Sequence, residues 1–201
     1  MRGEHAPASI SKMTIMKIKH MIAVSLLLLT GIRTANAVEW QMKQGPMMTP
    51  WSETLDPENV LGEYPRPQME RQEWMNLNGI WDLRKAIQDE AYSPDFIYDK
   101  KILVPFPLES AISGVMEESD NQCYWYRRTL TIPESMKGKN ILLHFDAVDW
   151  EAIVYVNGKK VGKHTGGYDP FYFDITSALK QDGEQELAVY VRDNTGAEGQ
   201  P

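Results

Sequence analysis

The chain has 201 residues, 42% of them hydrophobic and 24% charged. That length suits one domain with extensions, and the composition excludes both intrinsic disorder and a multi-span membrane protein. Its 21 Lys and Arg against 28 Asp and Glu give a net charge of −7, which argues against a nucleic-acid partner.

Met21 to Leu29 is an uncharged apolar run preceded by Lys17, Lys19 and His20 and followed by the small-x-small string Ala35-Asn36-Ala37. This pattern predicts a secretory signal peptide over residues 1–37, with cleavage between Ala37 and Val38. The run is shorter than the roughly 20 apolar residues of a membrane span, so a retained anchor is the lesser reading. Residues 1–15 are unusual ahead of such a leader, and a start at Met16 gives one of ordinary length. Cleavage removes Arg2, Lys12, Lys17, Lys19, Arg33 and Glu4, leaving 164 residues of net charge −11. The expected product is exported, periplasmic or secreted, with no membrane association after cleavage.

Residues 38–73 carry Pro46, Pro50, Pro57, Pro65 and Pro67, which forbid a long helix. They read as an extended arm packing over a domain through Trp40, Trp51 and Tyr64. From residue 74 the pattern changes. Leu77-Asn78-Gly79 is a turn into a strand that sets Ile80, with Trp81 as a second candidate beside it, against a core. Lys101 to Val104 is a strand stopped by Pro105 and Pro107. Trp125 to Ile132 is aromatic and β-branched, which favours a strand, and it ends at Pro133. Cys123, beside Tyr124 and Trp125, is the chain's one cysteine. It excludes an internal disulfide and a cysteine-based zinc cluster, and with no cationic neighbours it reads as a buried inert thiol. Four histidines show no ligand spacing, so neither a metal nor a cofactor is expected.

Ile141, Leu143 and Phe145 alternate with polar or exposed positions, as do Ala152, Val154 and Val156. Asn157-Gly158 between the latter strand and Lys159–Lys163 predicts a type I′ hairpin, since both central residues tolerate positive φ. Gly166-Gly167 turns the chain before Tyr168 and Phe171 re-enter the fold, and Thr176 to Lys180 can form one helical turn. Leu187, Val189 and Val191 alternate again. Seven or eight short strands between Leu77 and Arg192, with turns about every ten residues and no long helical period, predict an all-β fold: an antiparallel jelly-roll-like β-sandwich with a Pro-rich N-terminal arm. Its predicted core is Trp81, Phe145, Val154, Val156, Phe171, Phe173, Leu187, Val189 and Val191.

Six strings carry a resemblance: Leu77-Asn78-Gly79-Ile80-Trp81; Val104-Pro105-Phe106-Pro107; Trp125-Tyr126-Arg127-Arg128-Thr129; His144-Phe145-Asp146-Ala147-Val148-Asp149-Trp150; Val156-Asn157-Gly158-Lys159-Lys160-Val161-Gly162; and His164-Thr165-Gly166-Gly167-Tyr168-Asp169-Pro170-Phe171. In this order they resemble the N-terminal sugar-binding, galactose-binding-domain-like sandwich of glycoside hydrolase family 2, the family of β-galactosidases, β-glucuronidases and β-mannosidases. The approach from Pro50-Trp51 to Pro67-Gln68 looks like its secreted bacterial β-galactosidase-like branch. The likeness covers residues 50–201, and residues 74–201 are assigned to the sandwich. Each string also has a turn or packing role that needs no ligand. At least one of Arg127 and Arg128, for example, is expected to lie along apolar surface with its guanidinium at a carboxylate or the sheet rim.

The resemblance implies a retaining exo-β-glycosidase whose two catalytic Glu lie on a barrel of about 250 residues that follows an immunoglobulin-like domain. Neither domain is within these 201 residues. The chain therefore reads as a fragment, not expected to be catalytic alone, and no catalytic residue is assigned. Adjacent Glu117 and Glu118 read as a solvated run. By position in the family, the Glu117–Gln122 loop implies Asn121 as a sugar contact. Asp149 and Trp150 at a strand entry are further candidates, because an indole there can stack on a pyranose or pack on a neighbouring domain. The implied partners are carbohydrate, weakly in isolation, and the remaining domains of the parent glycosidase. A stand-alone carbohydrate-binding module and a non-binding scaffold remnant are the alternatives.

Overall fold

The computed structural model describes residues 38–193 other than 47, 67, 69 and 119–121. The leader, Ala37 on one side of the expected cleavage point, and Asn121 lie outside the described residues.

Eight strands form two antiparallel sheets. The strands are β1 (Gly79–Lys85), β2 (Lys100–Val104), β3 (Cys123–Leu130), β4 (Leu142–Phe145), β5 (Glu151–Val156), β6 (Lys159–Thr165), β7 (Phe171–Asp174) and β8 (Gln185–Arg192). The large sheet runs β2-β1-β3-β8-β5-β6, and the small sheet is the pair β4-β7. Short 3-10 turns at Pro50–Thr54, Ala111–Ser113, Glu134–Met136 and Thr176–Ala178 supply helical content among the described residues. The sandwich and its strand count agree with the sequence.

Period-two alternation sorts the side chains of the large sheet. Trp81 and Leu83 of β1, Ala152, Val154 and Val156 of β5, and Leu187 and Val189 of β8 are buried on the face toward the small sheet. The small sheet answers with buried Leu143 and Phe171, and Phe145 stacks on Phe171 at 4.8 Å. All nine core residues predicted from the sequence belong to this cluster, with Phe145, Phe173 and Val191 half-buried at its margin. Ile80, by contrast, faces the other side of the sheet. Trp81 takes the core position, its indole N–H donating to the Leu77 carbonyl at 2.8 Å.

The β5–β6 hairpin has the predicted turn, with φ of 50° at Asn157 and 77° at Gly158. The Asn157 amide then donates to Ala178 O and Gln185 Oε1 at 2.9 and 2.8 Å and its carbonyl oxygen accepts the Glu186 N–H at 2.9 Å. Close contact of the two sheets rests on Gly162 in β6, where a Cβ would lie 2.1 Å from the Phe173 ring.

Two of the arm's three aromatic anchors hold. Trp40 donates its indole N–H to Ser113 O at 2.8 Å, and Tyr64 packs edge-on to Trp74 at 5.1 Å. Trp51 does not: it stands 79% exposed on the 3-10 turn Pro50–Thr54, which also interrupts the expected extended run. Proline at the start of that turn presets the helical φ, and the turn's one buried side chain is Ser52. Tyr168 is likewise corrected. It is 95% exposed, and only Phe171 returns to the core, because the turn spends Tyr168–Pro170 outside the sandwich.

The opposite face of the large sheet holds a second cluster that sequence reading missed. Trp125 and Tyr190, both essentially inaccessible, pack with Ala86, Cys123 and Ala188. The segment between β1 and β2 folds across them, bringing Tyr92 onto Tyr155 at 5.1 Å and Phe96 onto Trp125 at 5.4 Å. Cys123 is buried here within 3.1 Å of the Tyr190 hydroxyl, an apolar setting that agrees with an inert thiol.

Candidate functional site

Antiparallel register gathers the loops of interest at one end of the large sheet. Cys123 pairs with Arg192, Arg192 with Glu151, and Glu151 with Thr165, so four strand ends fall on one rung. The segment before β3 therefore ends at Gln122 on this rim, where the Gln122 carbonyl accepts the Asp193 N–H at 2.8 Å. The β4–β5 connection arrives with Asp149 and Trp150. The β6–β7 connection leaves through Gly166 and Gly167.

The two described candidates meet the last of these turns directly. Trp150 donates its backbone N–H to Arg192 O at 3.2 Å, and its carbonyl accepts the Gly166 N–H at 2.7 Å. The Asp149 carboxylate lies so close to Gly167 that a Cβ there would come within 2.7 Å of Oδ1. Asp149 is exposed, while Trp150 is half-buried with its indole N–H sealed away from any acceptor. The exposed aromatic ring on this rim belongs to Tyr168. Structure thus joins Asp149, Trp150 and the Gly166–Tyr168 turn, whereas Asn121 lies outside the described residues.

Two more side chains of the rim, Glu151 at the strand entry and His164 in the sixth string, were read in the sequence without a site role. Glu151 is 5% exposed and compensated by Lys163 Nζ at 2.6 Å. His164 stacks on Phe171 at 4.1 Å, and its Nε2 is buried with no protein partner. Strand alternation carries a signal for both, since they sit at paired strand ends, but their burial depends on the neighbouring turn.

The carboxyl at the start of the loop before β3, that of Glu117, is tuned against acid catalysis. Its hydrogen-bonded ion pair with Lys100 holds it below the usual Glu range, whereas an acid catalyst needs its pKa raised. Glu117 is therefore a structural partner of β2 rather than the purely solvated residue the sequence suggested. Arg127 and Arg128 are structural as well. Arg127 clamps Asp82 through Nε and Nη2 at 3.0 and 2.9 Å and covers Tyr98 at 4.1 Å. Arg128 donates to the Leu77 and Asn78 carbonyls, both at 2.8 Å, and burial lowers its pKa. Both meet the expectation of a guanidinium at a carboxylate or the sheet rim.

Beside the rim, a cleft of about 1900 Å³ opens between the large sheet and the edge of β4, reaching Gln122, Asp149 and Asp193 at one end. Its floor includes Trp81, Tyr124 and Tyr126. Burial pushes the Tyr126 hydroxyl well above the ordinary tyrosine range, and the Tyr124 hydroxyl is sealed without a partner.

A two-sheet antiparallel sandwich with loops gathered on one rim defines the class: an antiparallel β-sandwich domain. The family model described as "Glycosyl hydrolases family 2, sugar binding domain" matches residues 65–197, and the chain belongs to that family. A β-galactosidase of Thermoanaerobacter pseudethanolicus is 36% identical over 121 residues, 58% of this chain and 16% of its own length. A β-glucuronidase of Bacteroides fragilis is 44% identical over 71 residues, 35% of this chain and 10% of its own. The solved β-glucuronidase of Ruminococcus gnavus, in complex with C6-substituted uronic isofagomine, superposes with a TM-score of 0.54 at 19% identity, over 65% of this chain and 23% of that one, and shares the fold. The chain thus spans under a quarter of the length of these relatives.

Proposed function

We propose that this polypeptide serves as the sugar-binding sandwich of a larger, exported family 2 β-glycosidase, of the retaining exo-acting kind and β-galactosidase-like, and that hydrolysis belongs to domains outside it. The family match over residues 65–197 carries the reading. The rim around Asp149, Trp150 and Tyr168 is the surface through which the module contributes to a sugar site shared with the remaining domains. Export is supported by the basic, apolar and small-residue succession of residues 1–37.

Three measurements test this. The chain expressed in a bacterium with its leader yields a periplasmic or secreted product whose N-terminus, by mass spectrometry, is Val38; cytoplasmic retention of an uncut chain rejects export. The same product leaves nitrophenyl β-galactoside unhydrolysed, and turnover by the purified chain rejects the division of labour. Titration with methyl β-galactoside gives an affinity weaker than about 1 mM, corresponding to roughly −4 kcal/mol, because a rim without an enclosing pocket buries little of a monosaccharide.

A further inference from the structure

The small sheet has a second face. Leu143, Phe145, Phe171 and Phe173 turn toward the large sheet, so alternation turns Leu142, His144, Tyr172 and Asp174 outward. All four are exposed. The β4–β7 register sets His144 directly opposite Tyr172, and their rings lie 5.3 Å apart with 35° between their planes.

The chain has nine tyrosines, and only Tyr168 and Tyr172 are exposed, the latter at 61%. They flank the turn into β7, four residues and at most about 14 Å of backbone apart. A ligand of a few sugar rings therefore reaches both the open ring of the rim and the open ring of the sheet.

The arm adds charge at the His144 end of this strip. Arg66 lies 3.5 Å from His144 Nδ1 and reaches Asp146 at 3.4 Å. Arg71 is exposed and has no ion-pair partner among the described residues. Burial and then both guanidinium groups hold the His144 pKa down, which sets the two cations near the imidazole. The opposing carboxylates are fewer. Asp146 is shared with Arg66, and Asp174, at the far end of β7, accepts the Thr176 N–H and hydroxyl at 2.9 and 2.6 Å.

We propose that the outer face of β4 and β7 is a second saccharide platform, which takes a sugar ring on Tyr172 and a sulfate ester of that sugar on Arg66, Arg71 and His144. The choice of a saccharide rests on the reading of the module as a sugar-binding one and on the platform's continuity with the rim at Tyr168. A sulfate ester is favoured over a carboxylate because it offers three terminal oxygens to three donor groups, whereas a single guanidinium fork already satisfies a planar carboxylate.

The test titrates the chain with a sulfated galactan tetrasaccharide, its desulfated form and an oligogalacturonate of the same length. The sulfated ligand is expected to bind about fivefold tighter than either of the others, the size an exposed ionic contact allows. Arg66→Gln together with Arg71→Gln removes that advantage. Tyr172→Ser weakens the sulfated and desulfated ligands alike, severalfold, and thermal melts check that these surface variants remain folded. As an independent readout, the sulfated ligand moves the His144 imidazole titration, followed by NMR, to higher pH, and the desulfated ligand does not. Equal affinity for the sulfated and desulfated ligands overturns the proposal, as does oligogalacturonate binding as tightly as the sulfated ligand, or an advantage that survives loss of both arginines. So does sedimentation showing that the unliganded chain dimerises and that Tyr172→Ser restores the monomer. Methyl β-galactoside titration and export report on the rim and the leader separately, so their failure beside an intact platform sinks the functional reading alone.

Discussion

The two faces of the large sheet are held by different means. Toward the small sheet, aliphatic side chains repeat at every second residue and bury against Leu143 and Phe171. On the other face the connection between β1 and β2 serves as the cover, through Tyr92, Phe96 and Tyr98 laid on Trp125, Tyr155 and Tyr190. That cover is fastened by polar groups at its margins. Glu90 accepts the Trp125 indole N–H at 2.9 Å and pairs with Arg84 at 2.7 Å, and Tyr92 donates its hydroxyl to Glu186. Desolvation raises the Tyr98 pKa to about 12, with the Arg127 guanidinium above the ring opposing it. A loop can therefore substitute for a sheet when aromatic area replaces aliphatic layers and each buried polar end finds a partner.

If the loop-covered face is as integral as the sheet-covered one, Trp125→Ala should cost about 3–5 kcal/mol, at least as much as Leu187→Ala on the inner face, where about 2–5 kcal/mol is expected. Trp125→Ala also removes one of the two donors on Glu90 Oε2, the other being Arg84 Nη1. Urea denaturation of both variants checks this. A loss at Trp125 below about 1 kcal/mol, within the range of ordinary surface substitutions, would make the loop a loose flap instead.

The sheet-to-sheet contact comes next in size. Gly162→Ala drives a Cβ into Phe173 and should cost about 1–3 kcal/mol by overpacking. Adding Phe173→Leu should return part of that loss, since a smaller side chain relieves the clash. Additive losses in the double variant would place the strain elsewhere.

These two faces were unequally legible. Alternation at Ala152–Val156 and Leu187–Val191 exposed the inner face, because period two is a local property of the chain. Asn157-Gly158 exposed the hairpin for the same reason. The outer cluster was hidden, since Tyr92, Phe96 and Tyr98 follow no period and their partners lie some 30 to 60 positions away in the chain. The rim was half legible: family strings pointed to Asp149 and Trp150, but only the Cys123–Arg192–Glu151–Thr165 rung reveals what stands beside them. Trp51 and Tyr168 misled because an aromatic residue carries no mark of which side of a turn it occupies.

At the margin of the outer face, Asp82 holds Arg127 and Lys101 together across β1, β2 and β3. Asp82→Asn leaves both cations around a neutral amide. The groups are partly exposed, so the expected loss is only about 1 kcal/mol, and it should shrink in high salt while the Trp125→Ala loss does not. Thermal melts at low and high ionic strength separate the two.

The smallest effect belongs to the inner sheet's outward surface, where the arm crosses β4. Burial first, then the Arg66 and Arg71 guanidinium groups, lowers the His144 pKa below its ordinary 6.5, with Asp146 opposing them. Arg66 lies 3.5 Å from the His144 Nδ1 and also reaches Asp146 at 3.4 Å. In the unfolded chain this histidine takes up its proton near pH 6.5, but in the folded chain only at lower pH, so between those values the unfolded state binds more protons. Its contribution is fully present above about pH 6.5 and is lost as pH falls through the folded value. The lowered carboxylates Glu117 and Asp174 act in a more acidic window, below the ordinary carboxylate range. Comparing urea midpoints at about pH 7.5 and about pH 5.5, on either side of the ordinary histidine value, should therefore show the wild-type chain weakening on acidification and His144→Gln weakening less. An identical slope in the two proteins would mean that the arm's cations do not act on His144, and that the arm touches β4 without electrostatic consequence.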